Sequence, residues 1–123
     1  MINHNGALTS SQTPVLTAHN RGLLFGDAVF ETLRYSQGHI HFWEDHYFRL
    51  MSAMRVFRMD IPMTFTLEFL EQECLRVIQA QSEISAAWRI RLTVYRKAGG
   101  AYLPTSRDID YVISAMSFDS EYY

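Results

Sequence analysis

The sequence contains a single cysteine, Cys74, so no disulfide bond can form within the chain. No apolar run approaches the roughly 20 residues that a membrane-spanning helix needs, and we therefore expect no membrane partner. The segment Met1 to Gly6 combines neither a basic nor an apolar stretch, so no secretion signal is predicted. Together these absences favour a protein of the reducing cytoplasm.

Blocks of like charge are also missing. The net charge is −2, from 11 basic and 13 acidic residues that are interspersed along the chain. No basic patch indicates a nucleic-acid partner, and no charged run indicates a disordered tail. Apolar residues make up 48% and charged residues 20%, which is typical of a globular protein, and 123 residues suit one domain.

Several kinds of site find little support in the sequence. His39 and His41 alternate on a predicted strand without a cysteine or carboxylate at ligand spacing, so no metal site is predicted. Gly99 and Gly100 lack the strand and helix that flank a nucleotide-binding loop. Cys74 lies in an apolar helical stripe, which favours a buried apolar residue over a nucleophile.

Two segments have the periodicity of amphipathic helices, with apolar residues every three or four positions. The first helix is predicted from Trp43 to Arg58 and the second from about Thr66 to Gln81. The apolar stripes consist of Trp43, Tyr47, Leu50, Met54 and Phe57 in the first helix, and of Leu67, Leu70, Cys74, Val77 and Ile78 in the second.

Strands are predicted on both sides of these helices. Ala28 to Tyr35 and His39 to Phe42 form a hairpin around a Ser-Gln-Gly turn, and a short strand lies within Ile2 to Leu8. Trp88 to Arg96 alternates, while Ile109 to Phe118 is apolar on both faces for much of its length, which indicates a central strand. The sequence therefore predicts an α+β domain of two layers, with an antiparallel sheet and two helices packed on one face.

Two groups of polar residues are candidates for binding an anion. Arg89 and Arg91 share one face of a strand with a threonine and a tyrosine, which fits either a solvated sheet face or a wall that binds carboxylate or phosphate. His46 and Arg49 share one face of the first helix. They either face solvent, or the guanidinium emerges at the edge of the apolar stripe and holds a phosphate group.

Three segments are informative together: FGDAVFETLR at Phe25 to Arg34, EDHYFRL at Glu44 to Leu50, and RIRLTVYR at Arg89 to Arg96, which the Gly-Gly loop follows. In this order they resemble motifs of the class IV fold of pyridoxal-phosphate (PLP) enzymes. That family includes branched-chain and D-amino acid aminotransferases and aminodeoxychorismate lyase. The resemblance covers about residues 2–118 and implies the N-terminal domain of the D-amino acid aminotransferase-like fold.

The resemblance also implies roles for individual residues. It implies that Arg49 contacts the phosphate of PLP. Phe30 would line the substrate pocket, and Phe25 would reach the active site of the partner subunit. The other substrate-pocket residues that the resemblance implies are Arg89, Arg91, Gly99 and Gly100.

The parent enzyme implied by the resemblance is a PLP-dependent homodimer that moves an amino group between a branched-chain-like amino acid and a 2-oxo acid. The family's Schiff-base lysine belongs to a second domain that would follow residue 120, whereas the only lysine here is Lys97. Residues 1–123 are therefore interpreted as the N-terminal small domain, with no catalytic residue, no activity alone and no PLP bound by itself. Two alternatives stay open: a domain of the pyruvate-releasing lyase, or a truncated, non-catalytic binding module.

Overall fold

The computed structural model describes residues 1–118, and no helix in this range is long and apolar enough to cross a membrane. In chain order the elements are β1 (Ile2–His4), β2 (Ala7–Thr9), α1 (Arg21–Phe25), β3 (Ala28–Ser36), β4 (His39–Ile40), α2 (Trp43–Val56), α3 (Leu67–Gln79), β5 (Ala87–Arg96) and β6 (Ile109–Phe118). The strands form one antiparallel sheet in the order β2-β1-β6-β5-β3-β4.

The core lies between one face of this sheet and helices α2 and α3. The periodic apolar residues of both helices point inward, so Leu50 of α2 and Leu70 of α3 are at most 1% exposed. Ile90 and Leu92 of β5 meet them from the sheet and are fully buried. Thr66 caps α3 by accepting a hydrogen bond from the Phe69 amide at 3.1 Å. The predicted α+β class, with these helices on one face, is confirmed.

A third helix, α1, was not predicted from the sequence. It is only five residues long. Asn20 caps its N-terminus by accepting a hydrogen bond from the Leu23 amide at 2.9 Å, and Gly26 caps its C-terminus in the left-handed conformation, with φ 67°. It packs at one end of the other sheet face, where a Cβ on Gly22 would lie 3.6 Å from that of Tyr95. The packing of α1 against β5 contributes to the burial of Tyr95, which is only 5% exposed.

Two other sequence predictions need correction. β6 is central, between β1 and β5, but only its helix-facing side is buried, since Ile113 is 0% and Met116 67% exposed. The return strand of the hairpin ends at Ile40 rather than at Phe42. Phe42 instead has φ 56° and directly precedes α2, with its side chain exposed.

Candidate functional site

The sheet face that α2 and α3 do not cover carries most of the predicted site residues. The register pairs Thr32 with Arg91 and Arg34 with Arg89, so these four side chains point to the same side. We call this surface the open face; it consists of Phe30, Thr32 and Arg34 from β3, Arg89, Arg91 and Thr93 from β5, and Val112, Ser114 and Met116 from β6.

Phe30 and Arg91 contact one another on the open face. The Arg91 guanidinium carbon lies 3.8 Å from the centroid of the Phe30 ring, which itself is 51% exposed. This cation–π contact places a positive charge against an aromatic surface. The predicted residues Phe30, Arg89 and Arg91 therefore share a wall that is both apolar and cationic.

Arg49 lies at the edge of the sheet, where it is bound to a residue that the sequence analysis did not single out, Glu31. Glu31 lies on β3 and points toward α2. Its Oε1 accepts hydrogen bonds from Arg49 Nη2 at 2.7 Å and from Arg49 Nε at 3.0 Å. Its Oε2 also accepts from Arg49 Nε, at 3.0 Å. His46 Nδ1 lies 2.6 Å from Oε1. The Glu31 side chain is only 8% exposed, whereas that of Arg49 is 68% exposed.

The charges in this cluster stabilise one another. Burial raises the pKa of the Glu31 carboxyl, but the hydrogen bonds and positive charges of Arg49 and His46 outweigh it and bring the pKa below its ordinary value. The carboxylate in turn raises the pKa of Arg49. Glu31 is therefore ionised at neutral pH, and Arg49 carries its full charge.

A cavity of about 260 Å³ lies next to this cluster. It extends from the open face around the edge of β3 to the start of α2. Within it, burial and electrostatic repulsion from the neighbouring His39 and Arg34 lower the pKa of His41, which favours its neutral form. The residues that line the cavity are Thr32, Leu33, Arg34, His41, Phe42, His46, Arg89 and Phe118.

The remaining predicted site residues lie at the opposite end of the sheet. Arg21 is 2% exposed; its Nη1 donates to the Gly99 carbonyl at 3.1 Å, and its guanidinium lies 4.6 Å from the centroid of the Phe25 ring. Gly100 lies in the same loop, with φ 74°. A Cβ there would lie 2.2 Å from the Leu103 carbonyl oxygen, so the conformation requires glycine.

One carboxylate organises this end of the molecule. Oδ2 of Asp27 accepts from Nε of Arg21 at 3.0 Å and from Nε of Arg96 at 2.7 Å. Arg21 also donates to the carbonyls of Ala101 and Tyr102, and Arg96 to those of Ser106 and Phe57. The two buried arginines thereby hold the loop that follows β5.

The structure thus brings some predicted residues together and separates others. Phe25 and the Gly99–Gly100 loop lie where β3 begins and β5 ends, whereas Arg89 lies near the other end of β5. The six residue steps of β3 from Ala28 to Arg34 separate the two ends, which is about 20 Å of extended chain. Within one chain, these two groups cannot line the same small cavity.

The structural importance of Glu31 and Asp27 was missed, for different reasons. Glu31 alternates with Val29 and Leu33 in the register of β3 that faces the core, and a charge in that register is a detectable signal. The link from Asp27 to Arg96 spans 69 positions and joins different elements, so no local pattern contains it.

Among residues 1–118, no three side chains of the metal-binding types cluster at a possible metal site.

Comparison with known protein families identifies the chain. The family model for amino-transferase class IV matches residues 28–123, which is most of the sequence. The chain belongs to the class IV aminotransferase family. A search of curated protein sequences found no match to this chain.

Solved structures agree with the family on the fold. The branched-chain amino acid aminotransferase of Escherichia coli is 20% identical, with a TM-score of 0.82 over 98% of this chain. That of Thermoproteus uzoniensis, determined with norvaline, is 23% identical, with a TM-score of 0.82 over 95%. That of Thermobaculum terrenum, in its PLP form, is 21% identical, with a TM-score of 0.78 over 97%. Our class IV chain spans about 40% of the length of each.

Proposed function

We propose that this chain is the N-terminal domain of a PLP-dependent class IV aminotransferase that moves an amino group between a branched-chain-like amino acid and a 2-oxo acid. The observation that carries the proposal is the family match over residues 28–123, together with an exposed, oriented Arg49 beside a cavity. The solved structures compared above are branched-chain enzymes, which supports the substrate class.

Arg49 is the residue in this domain that we assign to the cofactor phosphate. A guanidinium is permanently charged, planar and rich in N–H donors, which suits a phosphate dianion. Arg49 lies three positions after His46, which lines the cavity, and most of its side chain is open to solvent. The residues present therefore fit the phosphate group of PLP. When bound, PLP supplies the electron sink of the reaction, and the protein supplies orientation and electrostatics.

The open face supplies the substrate side of the site in this proposal. Phe30 offers an apolar surface for a branched side chain, and Arg91 stacks on that surface. Arg89 lies two residues earlier on the same face and at the cavity wall, where it would attract a carboxylate. The mixture suits an amino acid, which presents one charged and one apolar end.

The distant group, Phe25 with Gly99 and Gly100, fits the proposal only if a second copy of the chain is present. These residues lie about 20 Å along the sheet from the cavity of their own chain. In a homodimer they would instead border the partner's site. Exposed apolar side chains surround them, with Leu23 70% and Tyr102 84% exposed, which favours burial against another surface.

The chain by itself is expected to form no stable covalent link with PLP. Lys97 is its only lysine. Its Nζ lies 3.6 Å from Asp110 Oδ1, its side chain is 51% exposed, and it follows β5 at the end away from the cavity. Mixing the chain with PLP and then borohydride should leave Lys97 substantially unmodified at one equivalent, as mass spectrometry would show. Stoichiometric labelling of Lys97 would contradict the assignment of the reactive lysine to another domain.

Replacing Arg49 by alanine should weaken PLP binding to the full-length enzyme by roughly 10- to 150-fold, the usual effect of losing one charge-assisted contact. Titration of the apo-enzyme with PLP measures this effect. Arg55 is exposed in the last turn of the same helix and serves as the control, since Arg55→Ala removes an equal charge away from the cavity. An Arg49→Ala enzyme that is folded and retains wild-type affinity would show that Arg49 is an ordinary surface residue.

A further inference from the structure

We infer that Glu31 is a positioning residue that holds Arg49 in the orientation needed to bind the cofactor phosphate. The inference rests on the proposed function, because it presumes that Arg49 receives a phosphate. Glu31 lies inside the domain and is not one of the residues that line the cavity.

The geometry of the contact is a fork. Nε and Nη2 of Arg49 both point at the Glu31 carboxylate, at distances of 2.7–3.0 Å. A guanidinium has five N–H groups in one plane, so engaging one edge fixes the direction of the others. Among residues 1–118, the structure shows no hydrogen bond from Nη1 of Arg49, so that nitrogen remains available on the outer edge.

His46 completes the cluster. Its Nδ1 lies 2.6 Å from Oε1 of Glu31, so Nδ1–H donates to the carboxylate and cannot accept from Nη2 of Arg49, which lies 3.2 Å away. The carboxylate is therefore held from two directions by residues one helical turn apart. Because Glu31 itself projects from a strand and is 7% exposed, the anchor is rigid.

Orientation matters because Arg49 is otherwise free to move. Its side chain is 68% exposed, and a long exposed side chain samples many rotamers. Binding a ligand normally requires that freedom to be lost, which weakens affinity. Glu31 removes it before the ligand arrives, which is preorganisation. A competing effect exists, since the negative charge of Glu31 repels a phosphate; the two effects predict opposite results for the same substitution.

Glu31→Gln in the full-length enzyme should weaken PLP binding by roughly 2- to 12-fold, the usual effect of immobilising one flexible side chain. The glutamine amide keeps one oxygen that can accept a hydrogen bond, but its NH₂ group faces N–H donors and cannot accept. The two-point contact with Arg49 is therefore lost. Glu31→Asp should also weaken binding, because it keeps the charge but shortens the reach by about 1.5 Å. Asp45→Asn is the matched control: it removes a negative charge that acts on Arg49 without belonging to the fork.

Titration of each apo-enzyme with PLP measures its affinity for the cofactor, and a thermal melt confirms that each variant is folded. Weaker binding in both Glu31 variants, with Asp45→Asn unchanged or slightly tighter, supports positioning. In an Arg49→Ala background, Glu31→Gln should then have no additional effect, whereas a general disturbance of the site would add to the loss.

Two outcomes would contradict the inference, and they can be told apart by the Arg49→Ala result. If Arg49→Ala weakens binding but Glu31→Gln leaves it equal or tighter, the charge of Glu31 outweighs its positioning and this inference is overturned while the proposed function stands. If Arg49→Ala itself leaves PLP affinity unchanged, the phosphate assignment in the proposed function is wrong, and the inference falls with it.

Discussion

Replacing Asp27 by alanine is expected to lower the free energy of unfolding by about 3–5 kcal/mol, because it removes the carboxylate that pairs with two buried guanidinium groups. The side chains of Arg21 and Arg96 are 3% and 5% exposed, and both donate Nε to Oδ2 of Asp27. Alanine would leave two positive charges close together in a poorly hydrated site. The loop after β5 should loosen as well, since Arg21 and Arg96 hold its carbonyls.

Urea denaturation of the chain, followed by circular dichroism, measures this loss. Asp60→Ala is the matched control, because Asp60 is exposed and its removal should change the unfolding free energy by no more than about 0.5 kcal/mol. A loss of under 1 kcal/mol for Asp27→Ala would mean that water reaches the two arginines readily and that the cluster is not a buried ion network.

The second large effect is expected at the centre of the sheet. Ile113→Ala should cost about 2–5 kcal/mol, since Ile113 is 0% exposed and lies opposite Leu92 in the register of β5 and β6. The substitution removes buried methyl groups and leaves a cavity between the sheet and the helices, which cannot fully collapse.

Met116 provides the comparison within the same strand. It points to the open face and is 67% exposed, so Met116→Ala should change the unfolding free energy by about 0.5 kcal/mol or less. Denaturation of both variants tests which face of β6 supports the fold. Equal losses for Ile113→Ala and Met116→Ala would contradict the assignment of the core to the helix-facing side.

Most of the secondary structure could be predicted from the sequence. The helices predicted at Trp43 to Arg58 and Thr66 to Gln81 are observed as Trp43–Val56 and Leu67–Gln79, and the alternating strand at Trp88 to Arg96 as Ala87–Arg96. Each has a periodicity that its own residues display, because one face of the element must be apolar. Helix α1 escaped detection because five residues are too few for a periodic pattern.

For the candidate site, the sequence suggested individual residues without their partners. Arg49 was selected from its motif, but its contact with Glu31 joins a helix to a strand 18 positions away. The ion network around Asp27 joins positions still further apart. The roles of these residues in PLP and substrate binding stay predictions, as does the assignment of residues 1–123 to one N-terminal domain.

The sequence by itself determined the class of the fold, the helices and longer strands, and the family motifs, since these depend on residue types at short spacing. Only the tertiary structure decided the strand order, the one-sided burial of β6, and the division of the predicted site into two groups about 20 Å apart. The physical reason is that hydrogen-bonded register and packing join residues that are remote in sequence. Which side chains meet across a sheet is a property of the folded chain and leaves no local pattern.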